Sequence, residues 1–157
     1  MAKVKLDKID RVILNELLND GRMTNVELAE RAGISAPPCL RRVRALEENG
    51  IIQGYHARLD PAVLGYHVVV FAHVGLENQH DEELRKFEEK IKNWDMVREC
   101  YLTAGDSDFL LKIVARDWDH YQKFLTTELT SAPNVKHVKS MMAVKTAKHM
   151  PGVPIEI

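Results

Sequence analysis

No apolar run in this sequence approaches the length a membrane span requires. The longest, residues 68–72, stops at His73, whereas a bilayer-crossing helix needs roughly 18 consecutive apolar residues. The N-terminal stretch carries charge at Lys3, Lys5, Asp7, Lys8, Asp10 and Arg11, so it has no apolar segment of the kind a secretion signal needs. The expected location is the cytoplasm. Cysteine is scarce. Cys39 and Cys100 are the only two, far apart and in unlike surroundings, which argues against a disulfide framework or a CxxC site and for two reduced thiols. The seven histidines show neither HxxxH spacing nor cysteine pairing, so no metal and no cofactor is expected. A Walker loop, a GxGxxG turn, a nucleophile–base pair, internal repeats and low-complexity segments are also missing.

Net charge is nearly absent too, at −1 over 157 residues. Residues 1–60 hold ten Lys or Arg against nine Asp or Glu, and residues 61–157 hold twelve against fourteen. Charge is nevertheless focused locally. Residues 35–44 contain Arg41, Arg42 and Arg44 and no acid, which is what an element docking against phosphates requires.

The first 60 residues read as three helices. Leu6, Ile9, Ile13 and Leu17 have helical spacing, with Asp7 at the start and Gly21 beyond the end. Thr24 and Glu27 have capping-box spacing at the start of a second helix. Gly33 suits the left-handed residue that ends it, Ile34 can tuck into the core, and Ser35 is a favoured N-cap for a third helix. Pro37 and Pro38 fall in that helix's first turn, where backbone N–H groups have no intrahelical partner. Leu40, Val43 and Leu46 are expected to pack inward, leaving the arginines off that stripe. Asn49 and Gly50 end the helix, and Ile51, Ile52, Tyr55 and Leu59 read as an arm or wing.

Residues 61–157 read as a second domain beginning at the turn residues Asp60, Pro61 and Gly65. Strand-like runs at 66–76, 97–103, 109–115 and 135–144 alternate with amphipathic helices around Leu84, Phe87 and Ile91 and around Trp118, Tyr121, Leu125 and Leu129. The order β-α-β-β-α-β is that of the ferredoxin-like fold, with helices on one face of an antiparallel sheet. Its other face needs a cover, which a second copy of the chain supplies most simply. The fold class is thus α+β: an N-terminal winged helix-turn-helix and a C-terminal ferredoxin-like βαββαβ sandwich.

The segment from Thr24 to Asn49 has the spacings of a helix-turn-helix, so double-stranded DNA is the expected partner. Its plainer alternative is a packed three-helix unit with a solvated basic face. The start of the third helix would meet base edges, with Ser35, Ala36, Pro37 and Cys39 nearest; of Arg41, Arg42 and Arg44, which cannot all face one way, one or two reach phosphate or guanine and another pairs with Glu47 or Glu48. The acidic face formed by Asp81, Glu82, Glu83, Glu88 and Glu89 reads as solvated surface, and Met141, Met142 and Met150 as packing or interface residues.

Three stretches, residues 7–18, GISAPPCLRRVRALEENGII at 33–52 and GDSDFLLK at 105–112, resemble the Lrp/AsnC family of feast/famine regulators over nearly the whole chain. The resemblance implies a recognition helix over residues 35–44 with Arg42 contacting DNA, and a strand over residues 55–59. It also implies a homodimer that assembles further, for instance into an octamer, and an amino-acid effector bound where dimers meet. The family's G-x-x-D signature is matched by Gly105 and Asp108, which makes Thr103, Ala104, Gly105, Asp106 and Asp108 the candidate effector residues. Turn N–H groups can hold a carboxylate there, and Asp108 can accept from an ammonium. Read as residues alone, the same stretch is a glycine turn capped by an aspartate. Ala104 and Ser107 depart from the Thr and the bulky residue that many members carry at those places. Two other functions fit the residues: an architectural protein that compacts DNA without an effector, and a regulatory subunit of an amino-acid metabolic enzyme.

Overall fold

The computed structural model describes residues 5–156. The chain forms two compact units. One comprises the described residues up to Arg58 together with those from Lys148 onward, and the other is Leu59–Ala147.

In the first unit, helices α1 (Lys8–Asn19), α2 (Asn25–Ala32) and α3 (Ala36–Glu48) pack around Ile13, Leu14, Leu28, Ala29, Cys39 and Leu46. Both expected helix starts close as reciprocal capping boxes. Asp7 and Asp10 exchange side-chain-to-backbone bonds at 2.9 and 3.1 Å, and Thr24 and Glu27 do so at 2.8 and 3.3 Å. Gly33 adopts φ 69°, a conformation costly for other residues, and lets the Ile34 N–H reach the Ala29 carbonyl at 3.0 Å. The turn between α2 and α3 is fixed further by Asn25, whose Nδ2 donates to the Ala36 carbonyl at 2.9 Å.

Three expectations for this unit are corrected. Ser35 occupies the N-cap of α3 but makes no side-chain capping bond. The second and third helical residues, whose N–H groups a cap would accept from, are Pro37 and Pro38, which have none. The inward stripe is Cys39, Val43 and Leu46 rather than Leu40, Val43 and Leu46: Cys39 is fully buried and Leu40 is 39% exposed. Three-residue spacing drifts by about 60° per step around a helix, so Leu40 and Leu46 cannot share a narrow face. The strand expected over residues 55–59 is not formed in the single chain. A strand requires a neighbour, and no described segment pairs with it there; instead the Tyr55 hydroxyl donates to Glu47 at 2.9 Å.

The C-terminal tail also departs from the expected boundary at residue 61, since it belongs to the first unit. Ile155 packs against that core, and the Arg11 guanidinium donates to the Glu156 carbonyl at 3.0 Å. Only a few apolar residues in a Pro- and Gly-containing tail carry this contact, so no periodicity announced it.

The second unit is a four-stranded antiparallel sheet in the order β2-β3-β1-β4, formed by β1 (Val68–Leu76), β2 (Val97–Leu102), β3 (Phe109–Ala115) and β4 (Val135–Met142). Helices α4 (Asp81–Ile91) and α5 (Trp118–Phe124) supply the rest of the core, and α5 continues as a π-helical turn over Leu125–Leu129. Alternate residues of β3 (Phe109, Leu111, Ile113, Ala115) and Val70, Ala72 and Val74 of β1 are buried with Phe87, Trp94, Tyr121 and Phe124. This is the expected ferredoxin-like order, with β1, β2 and β4 each shorter at one end than the residues indicated. No helix among the described residues is long and apolar enough to cross a membrane.

The opposite face of the sheet is apolar at its centre. Val69 and Phe71 of β1 stand opposite Val114 and Lys112 of β3, Phe71 also faces Met141 of β4, and Leu110 faces Tyr101 of β2. One ion pair crosses it, Lys112 to Glu99 at 2.6 Å. Tyr101 and Met141 are about half exposed, at 53% and 46%, so this hydrocarbon is not fully covered among the described residues.

Candidate functional site

Two places answer to the candidate residues, one in each unit. On α3, at about 100° per residue, Pro37, Leu40, Arg41 and Arg44 fall within an arc of roughly 100°, and Cys39, Arg42, Val43 and Leu46 fall on the other side. Burial follows this division: Pro37, Leu40, Arg41 and Arg44 are exposed, whereas Cys39 and Leu46 are buried and Arg42 and Val43 intermediate. Ser35 is exposed at the head of the same helix and Ala36 is partly covered. With no proline N–H to engage it, the Ser35 hydroxyl makes no capping bond.

The three arginines therefore divide into two kinds. Arg41 and Arg44 pair with no carboxylate among the described residues. Arg42 turns back across the unit, and its Nη1 lies 2.7 Å from both Asp7 and Asp10, the two residues of the α1 capping box. The bond from the Asp10 backbone, assisted by Arg42, holds the Asp7 carboxyl below its ordinary range, and the two carboxylates, Asp10 foremost, raise the Arg42 pKa. Arg42 thus ties α3 to the start of α1, a pairing that the sequence reading did not include. Cys39 is likewise removed from the set. It is 0% exposed, and burial raises its thiol pKa, so it can reach no base edge and serves the core.

In the second unit, the loop between β2 and β3 borders a cleft of about 360 Å³ lined by His73, Thr103, Ala104, Gly105, Asp106, Ser107, His137, Lys139 and Met141. Four of the five candidate effector residues meet there. The loop is held by Thr103, whose hydroxyl donates to the Ser107 carbonyl at 2.7 Å and whose N–H donates to the Asp108 carbonyl at 2.8 Å. Asp108 itself is not part of the lining. Its Oδ2 accepts the Leu76 N–H at 2.7 Å, beside the β-bulge where β1 shifts register against β4. Its own N–H donates to Val74 at 2.9 Å. Asp108 thus holds the bulge through one carboxylate oxygen, because a bulge leaves an N–H outside the ladder that needs an acceptor. Asp108→Ala is expected to lower the stability of this unit by about 1–3 kcal/mol, read as a drop of several degrees in its thermal unfolding midpoint. An unchanged midpoint would contradict the structural assignment.

Sequence reasoning missed the far wall of the cleft. His73 Nδ1 lies 3.0 Å from the Ser107 hydroxyl, and Lys139 stands directly across from His73 on β4. His137 occupies the space over Gly75, where an added Cβ would collide with the imidazole ring, so the missing side chain on β1 makes room for a histidine on β4. The available signal was the period-two alternation of His137, Lys139 and Met141, which puts all three on one face once β4 is recognised.

Both parts of the chain have counterparts in known proteins. A family model described as the Lrp/AsnC ligand binding domain matches residues 69–153, and a winged helix-turn-helix DNA-binding model matches residues 6–53. The leucine-responsive regulatory protein of Rhizobium meliloti is 51% identical over 148 residues, covering 94% of this chain and 95% of that protein. The Bkd operon transcriptional regulator of Pseudomonas aeruginosa is 43% identical, covering 96% and 99%. Among solved structures, a transcriptional regulator of Neisseria meningitidis in complex with L-Met superposes with a TM-score of 0.91 at 33% identity, over 96% of this chain and 97% of that one. With both halves matched in the same order, and relatives alike along almost their entire length, this chain belongs to the Lrp/AsnC family of transcription regulators.

Proposed function

We propose that this protein is a non-enzymatic transcription regulator that binds double-stranded DNA through α3 and responds to an amino acid held at the cleft beside residues 103–107. The observation that carries the DNA reading is the exposed pair Arg41 and Arg44, which have no carboxylate partner among the described residues and stand on a helix whose opposite side forms the core. Such an arrangement suits a helix laid in the major groove, where arginine pairs with phosphate or with guanine O6 and N7. In this reading the open sheet face joins two copies, presenting two α3 helices to a two-fold symmetric site. Dimers then meet in a higher assembly such as an octamer, and the protein works in the cytoplasm where its DNA lies.

The cleft offers complementary partners for the two ends of an α-amino acid. Lys139 and the loop N–H groups suit the carboxylate, Asp106 suits the ammonium, and Met141 supplies an apolar contact. The Neisseria meningitidis relative was solved with L-Met, which supports an amino acid as the ligand class. Titration calorimetry of the full-length protein against the twenty amino acids is expected to give heat with one or a few. Lys139→Ala should weaken that binding at least about tenfold, the loss expected for one charge-assisted contact to a carboxylate. Silence with all twenty would remove the effector half of this proposal and leave the DNA half standing.

A further inference from the structure

We propose that Leu40 is a specificity-determining residue that reads the C5 methyl group of thymine in the major groove. The inference rests on the DNA-binding reading of α3 and assigns a role to a side chain which that reading does not use. The fold does not need Leu40 inside: Cys39, Val43 and Leu46 complete the inward stripe, and Leu40 is 39% exposed. An isolated exposed leucine is ordinary on a protein surface. This one lies about 60° from Pro37 and about 40° from Arg44 around the helix axis, at the edge of the exposed arc that carries Arg41 and Arg44, with Val43 of the inward stripe about 60° beyond it.

On a surface that enters the groove, that position restricts what Leu40 can meet. Guanine, adenine and cytosine present only donors and acceptors along their major-groove edges, and a hydrocarbon laid against them removes water without replacing its hydrogen bonds. Thymine alone presents a methyl group there. Burying Leu40 against it removes apolar surface from water on both sides, so the same side chain that penalises three bases favours the fourth. Arg44 beside it and Arg41 at the far edge of the arc supply contacts to phosphate or guanine that set the helix in register, and Leu40 adds a preference those arginines cannot express.

The experiment uses the full-length protein and a duplex selected by it from a random pool, with each thymine replaced in turn by deoxyuridine, which removes only the methyl group. Wild-type protein is expected to lose about fivefold in affinity at one position per half-site, the factor equivalent to about 1 kcal/mol. Leu40→Ala should bind the thymine duplex correspondingly more weakly and no longer distinguish thymine from deoxyuridine at that position. Its unfolding midpoint should stay within about 2 °C of wild type, because a side chain this exposed contributes little to the core. Indifference of the wild type to every replacement overturns the proposal, as does a Leu40→Ala protein that keeps the full thymine preference. Failure to select any duplex has a different meaning: it removes the DNA-binding reading itself.

Discussion

Replacing Arg41 and Arg44 together by alanine is expected to cost at least about a hundredfold in affinity for a selected operator while leaving thermal unfolding within about 2 °C of wild type. Both side chains are exposed and pair with no carboxylate among the described residues, so their removal takes nothing from the fold. Each well-placed arginine contact to DNA contributes about 1–3 kcal/mol, and two lost contacts at the lower middle of that range multiply to more than a hundredfold. Where the lost contacts are to phosphate, the slope of affinity against salt also falls by about one per contact. Arg42→Ala should behave in the opposite way. Its partners Asp7 and Asp10 belong to the capping box of α1, so the variant should melt earlier, and its DNA affinity measured well below that melting range should change less than that of the double variant. Equal affinity losses with unchanged melting for all three arginines would mean that Arg42 stands free in solution and that the division drawn on α3 is wrong.

The second large effect concerns the uncovered sheet face. Leu110→Asp is expected to turn a dimer into a monomer at micromolar concentration, as measured by sedimentation equilibrium, with the second unit still folded. Leu110 stands between His73 and Tyr101 on that face, with its side chain only partly exposed. In a two-fold interface each substitution appears twice, and burying carboxylates without partners costs several kcal/mol. A dissociation constant raised by about a thousandfold or more follows. Because a dimer engages two half-sites at a high effective concentration, the monomer should also lose most of its operator affinity. A Leu110→Asp protein that remains dimeric would show that the copies join through another surface.

Much of this organisation was legible in the residues. Capping pairs such as Thr24 with Glu27, the left-handed Gly33 and the alternation in 109–115 are local features, and local features fix where helices and strands begin. What failed was less local. Choosing Leu40 over Cys39 for the inward stripe took apolar character as the guide, whereas helical phase decides it, and a small thiol fills the core as well as a leucine would crowd it. Ser35 read as a cap because its neighbours were not asked whether they had an N–H to give. Arg42 looked like Arg41 and Arg44 because its partners lie 32 and 35 positions away, a distance at which sequence carries no pairing signal.

The effector cleft shows the same limit. The loop at 103–108 could be found from its glycine, but the opposing wall of His73, His137 and Lys139 exists only through strand register. That Asp108 also accepts the Leu76 N–H is equally invisible in the residues, because the bulge at Gly75 and Leu76 is a property of two strands together. The C-terminal tail is the extreme case, since Ile155 contacts residues placed more than a hundred positions earlier.

In the proposed complex the exposed arc of α3 enters the major groove, once from each of two copies. Methylation interference with dimethyl sulfate tests it directly, because the reagent marks guanine N7 in the major groove and adenine N3 in the minor groove of the same selected duplex. Methylated guanines are expected to block binding in two clusters separated by one helical turn, about 10 base pairs, or a multiple of it. Interference confined to adenine N3, or none at either groove, would contradict it.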